Sequence, residues 1–65
     1  MQKMSLKAWR VNAGLSQREA SVKIGVSVKT LCFWEKGKAF PKQPKIEKIC
    51  DTYGCTYDVI DFDII

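Results

Sequence analysis

The chemistry this chain can offer is carried first by its cations. All eleven lysines and arginines lie within residues 1–48, where only Glu19, Glu35 and Glu47 oppose them, a local net charge of +8. Residues 49–65 hold Asp51, Asp58, Asp61 and Asp63 and nothing basic, a net charge of −4. A basic body suits a polyanionic partner, because Lys and Arg contacts to phosphate supply most non-specific affinity for nucleic acid. A plain solvated surface is the alternative, and charge alone does not separate the two.

Enzyme chemistry finds no constellation. There is no histidine. Cys32, Cys50 and Cys55 have no identifiable base partner, their odd number makes no disulfide framework, and their spacing matches no zinc template. Cys50 and Cys55 can meet across a helix end. Reduced thiols in a cytosolic protein, with Cys50 in the core, are the expectation. Asp58, Asp61 and Asp63 are spread along a tail. All four glycines read as helix ends, so no Gly-rich loop is left to cradle phosphate. The expectation is a protein with no catalytic site, metal, cofactor or small-molecule ligand. With no signal peptide and no run of about 18 apolar residues, a cytoplasmic location without membrane contact is expected.

Two short helices must position the cations. Ser16 and Glu19 form an S-x-x-E capping box, which satisfies orphan backbone N–H groups at both residues. Gly25 follows Val22 and Ile24 and can end that helix in a left-handed conformation. Ser27 can cap a second helix at once, and Gly37 can end it. The first should cover about 17–24 and the second about 28–36. Helices about three residues apart, with Gly at the turn, cross steeply in a helix-turn-helix over about 16–36, whose second helix can enter a DNA major groove.

Ser16-Gln17 at the first helix start, Gly25-Val26-Ser27 at the turn, Thr30-Leu31 within the second helix and Trp34-Glu35-Lys36-Gly37 at its end resemble the Xre/Cro-type helix-turn-helix family of phage repressors and small bacterial regulators. The resemblance runs from about Ser5 to Ile60. It implies an all-α bundle of about five short helices forming one domain over residues 1–65. It also implies a sequence-specific regulator, Cro-like in being little more than the domain, of bacterial or phage origin. Such a protein would bind double-stranded DNA as a homodimer, formed before or on DNA, at a pseudo-palindromic operator. Repression by occluding a promoter is the simplest mechanism, since the chain is expected to carry no further domain. A prophage or mobile-element origin is suggested by the resemblance alone.

By position in the family, Val28, Lys29, Cys32 and Phe33 face the bases. The types depart from what base readers usually are: only Lys29 is a strong hydrogen-bonding group, suited to guanine, while Val28, Cys32 and Phe33 offer apolar contact, for example with a thymine methyl. Phe33 has two other readings, packing against the first helix or the following loop, and a protein-binding patch. That patch motivates the alternative function, a protein-interaction module such as an anti-repressor or accessory factor. Gln17, at a helix N-terminus that favours anions, and Thr30 are the stronger phosphate candidates. Lys36, Lys38 and Lys42 extend the basic edge, either to phosphate or simply to water.

The remaining chain supplies the frame. Met1 to Met4 reads as a frayed start. Ser5 can cap a helix to about Ala13, with Leu6, Trp9, Arg10 and Ala13 on one face and Gly14 ending it. Arg10 is out of place on a core face; in similar proteins an arginine here pairs with the glutamate of the Trp-Glu-x-Gly end, so the resemblance implies a structural Arg10–Glu35 salt bridge, with an exposed Arg10 the alternative. Pro41 lies in a loop, and Pro44 suits the first position of a helix running to about Tyr53, with Ile46, Ile49, Cys50 and Tyr53 as its core stripe and Gly54 as its end. Thr56 can cap a last short helix, and Val59, Ile60 and Phe62 close the core. The tail 61–65 has two readings, a dimer contact or extra strand, and a frayed end.

Overall fold

Serines start three of the four α-helices in the computed structural model, which describes residues 3–62. Ser5 accepts the Ala8 N–H at 3.1 Å and opens α1, Leu6–Asn12. At α2, Gln17–Ile24, the capping box is complete: Ser16 Oγ accepts the Glu19 N–H at 3.1 Å, and Glu19 Oε1 accepts the Ser16 N–H at 3.0 Å. Ser27 accepts the Thr30 N–H at 3.1 Å and opens α3, Val28–Glu35. α4, Gln43–Tyr53, has Lys42 at its cap without a side-chain bond, and Pro44 stands second in it rather than first.

Gly25 makes the α2–α3 turn. Its φ is +86°, and its N–H and that of Val26 both donate to the Ser21 carbonyl, at 2.8 and 2.9 Å. A side chain at that φ is strained, so the chain can stop one helix and start the next within three residues only with glycine here. Lys45 of α4 braces the turn by donating to the Gly25 carbonyl at 3.4 Å.

The three largest fully buried side chains of the core come one from each of three helices: Ile24, Leu31 and Ile49. Leu6, Trp9, Ala20, Trp34, Tyr53, Val59 and Ile60 complete it. Ser21 is buried at the α2 crossing and satisfies its hydroxyl on the Arg18 carbonyl at 2.8 Å. Trp9 Nε1 donates to the Val59 carbonyl at 2.9 Å, tying the first helix to the far end of the chain.

Several expectations need correction. The fold is all-α, but the expected fifth helix is a single 3-10 turn, Tyr57–Val59, and the Thr56 hydroxyl bonds Asp58 instead of capping it. Three residues are too few to complete an α-helical turn. Met4 is not frayed. Met4–Ser5 (β1) pairs in parallel with Ile60–Asp61 (β2), Met4 opposite Ile60 and Ser5 opposite Asp61. The extra strand allowed for the tail thus begins at Ile60 and includes Asp61. Asp63, Ile64 and Ile65, like Met1 and Gln2, lie outside the described residues. α1 ends at Asn12, so Ala13 leaves the core face and is exposed.

Candidate nucleic-acid interface

Leu31 and Trp34 turn one side of α3 into the core. The other side carries Val28, Lys29, Cys32 and Phe33, related as two rows of residues four apart. Val28 is 41% exposed and Phe33 39%; Lys29 is exposed and Cys32 half-buried. Phe33 thus stays outside the core cluster but is more than half covered. Lys29 Nζ lies 5.8 Å from the centre of the Phe33 ring, within cation–π range. Lys36 caps the end of α3 and is exposed, as are Lys38 and Lys42 in the loop that follows.

The acidic residue of α3 does not disturb this face, because Glu35 is drawn inward. Arg10 Nε donates to Glu35 Oε2 at 2.8 Å, with the two side chains 9% and 4% exposed. Arg10 Nη1 also donates to the Leu15 carbonyl at 2.8 Å. The salt bridge implied between Arg10 and Glu35 is present. Its partner list is longer than expected: Gln17 Nε2 donates to Glu35 Oε1 at 3.0 Å. One carboxylate thus binds α1 and α2 to the end of α3, and both of its oxygens are used.

This places Gln17 differently from a free phosphate ligand, since one amide donor is committed to Glu35. The start of α2 also already holds an anion. The Glu19 carboxyl is held below its ordinary range by the Ser16 backbone N–H, then by the Ser16 hydroxyl. Thr30 is half-buried, and its Oγ1 accepts from Ser27 Oγ at 3.0 Å. Among the groups singled out for DNA, the cations Lys29, Lys36, Lys38 and Lys42 are exposed, as are Val28 and Phe33.

Cys50 and Cys55 sit together at the end of α4, where the Cys55 N–H donates to the Cys50 carbonyl at 3.1 Å. Both are free thiols, as is Cys32. Burial pushes the Cys50 thiol up and the Cys55 thiol up to about 11, so both stay protonated near neutral pH.

One surface escaped the sequence reading. Phe40, 65% exposed, and Tyr57, 57% exposed, both pack on Phe62, with ring centroids 6.1 and 5.8 Å apart. The signal available was Phe40 itself, a lone aromatic in an otherwise basic, proline-bearing loop.

Two short helices joined by a glycine turn, with Lys29 exposed on the second and Lys36 at its end, match the pattern of a DNA-binding helix-turn-helix. A family model described as Helix-turn-helix matches residues 6–60. The chain belongs to the Xre/Cro-type helix-turn-helix family. As a member of that family it is a DNA-binding regulator, and the family is not an enzymatic one. No curated protein and no solved structure gives a significant match. Among the described residues no helix is long and apolar enough to cross a membrane, and no group of His, Cys, Asp and Glu could hold a metal ion.

Proposed function

We propose that this helix-turn-helix protein is a sequence-specific, Cro-like repressor that places α3 in the major groove of a pseudo-palindromic operator. One observation carries the reading: α3 presents Val28, Lys29, Cys32 and Phe33 outward while its carboxylate, Glu35, is turned in and neutralised by Arg10. A negative group on that face would repel phosphate; the exposed charges on α3 and at its end are those of Lys29 and Lys36. Val28, Lys29, Cys32 and Phe33 meet base edges. Lys36, Lys38 and Lys42 meet phosphates, with Thr30 and the remaining amide donor of Gln17 beside them.

The protein acts as a homodimer, because one small module contacts few base pairs and gains little specificity by itself. Two copies bind half-sites about one helical turn apart. The exposed Phe40 and Tyr57, packed on the part-buried Phe62, support that pairing, since joining two copies there removes aromatic surface from water. Its place of action is the bacterial cytoplasm, on promoter DNA that it occludes.

The test is selection from a random duplex pool, followed by binding of the enriched duplex at two salt concentrations. A palindromic winner whose affinity falls steeply with salt supports the reading. The exposure of Val28 and Phe33 favours a second reading, an anti-repressor or accessory module that binds protein through the same face. Failure to enrich any sequence, with binding indifferent to salt, selects that one.

A further inference from the structure

We infer that α3 selects a half-site in which a guanine is flanked by thymines, with Phe33 acting twice: as the contact for a thymine 5-methyl group and as the platform that positions Lys29 for the guanine. The inference rests on the DNA-binding reading and adds to it the chemical class of the half-site and a role for one residue.

Three of the four outward residues in the first two turns of α3 are poor hydrogen-bonding groups. Val28 and Phe33 have no polar atom, and a thiol such as Cys32 is a weak donor. These side chains are nonetheless well exposed at Val28 and Phe33, 41% and 39%. What they can gain in a major groove is removal of apolar surface from water. Among the natural bases only thymine offers a methyl group there. Lys29 supplies the complementary contact. Its ammonium has three donors and no acceptor, and guanine is the base whose major-groove edge shows two acceptors, O6 and N7.

Lys29 and Phe33 are four apart and lie in one row along the helix. The ammonium sits 5.8 Å from the ring centre. A free lysine explores many rotamers, and fixing one at a base edge is costly. The Phe33 ring limits that search before DNA arrives. The same ring edge then meets whatever base neighbours the guanine, which couples the two preferences into adjacent positions.

The test uses the duplex enriched from the random pool. Each thymine of a half-site is replaced in turn by deoxyuridine, which lacks only the methyl group, and each guanine by 7-deazaguanine, which lacks only the N7 acceptor. At one or more thymines adjacent to a guanine, deoxyuridine should weaken binding by about three- to fivefold, the size expected for one buried methyl group. At that guanine, 7-deazaguanine should weaken it by roughly fivefold or more. Phe33→Ala should erase the deoxyuridine penalty. Phe33→Leu keeps an apolar contact but no aromatic face, so it should keep the deoxyuridine penalty and shrink the 7-deazaguanine one. Specific, salt-sensitive binding that tolerates deoxyuridine at every position overturns this inference and leaves the DNA-binding reading standing, as do penalties that Phe33→Ala leaves unchanged. A pool that enriches no sequence overturns both.

Discussion

Tyr53 buries a hydroxyl that finds no hydrogen-bond partner among the described residues. Burial, with the Glu35 charge adding to it, pushes its pKa up to about 12. The sign follows directly. The unfolded chain releases this proton near pH 10 and the folded chain only near 12. The stability tied to Tyr53 is therefore complete below pH 10 and is lost as pH rises to about 12, up to about 2–3 kcal/mol. Tyr53→Phe should remove that alkaline decline. It should change stability little near neutral pH, because no hydrogen bond is lost. Urea unfolding of both proteins at neutral and at about pH 11 checks this; parallel declines would refute it. Glu35→Ala is the opposite case. It leaves Arg10, 8% exposed, with an uncompensated charge and takes the partner of Gln17 away. The expected loss is about 3–5 kcal/mol, comparable to the whole stability of a domain this small, so thermal melting followed by circular dichroism should show little or no folded baseline.

Helix starts are the clearest feature at the scale of the elements, and α4 is the exception. Its cap, Lys42, makes no side-chain bond. Lys42→Ser supplies an acceptor for the first-turn N–H groups and should stabilise by about 1 kcal/mol, raising the melting temperature by about 4–8 °C. The same change removes a cation from the loop beside α3, so DNA affinity should fall while stability rises. A fall in both would mean that Lys42 matters to the fold in some way its missing cap bond does not suggest. The caps themselves were readable in the sequence because each bond joins residues three apart. The 3-10 turn and the two-residue strands were not, because neither is long enough to show a period.

At the scale of the whole molecule the cations lie before residue 49 and the tail is acidic. A field of this kind draws the protein to DNA, and salt screens it. Lys38→Ala should weaken binding to all duplexes alike and reduce the slope of log affinity against log salt by about 1. Lys29→Ala should weaken the selected operator more than random DNA. Titrations of both variants on both duplexes at several salt concentrations separate the roles. Equal losses for Lys29→Ala on the two duplexes would take it off the list of base readers.

The sequence by itself determined what depends on neighbours along the chain. Ser5, Ser16, Glu19 and Ser27 set helix starts, and Gly25 set the turn, through bonds spanning three or four residues and a φ that side chains avoid. The resemblance supplied the Arg10–Glu35 pair, and it was needed because the two residues lie 25 apart and no local pattern links them. Only the tertiary structure decided the rest. Trp9 reaches Val59 across 50 positions, Met4–Ser5 finds Ile60–Asp61, and Gln17 turns to Glu35 because the crossing of α2 and α3 puts that carboxylate within its reach. Phe33 is outward for the same kind of reason. An aromatic residue can face core or solvent, and which it does is settled by Leu31 and Trp34 filling the inward side of α3.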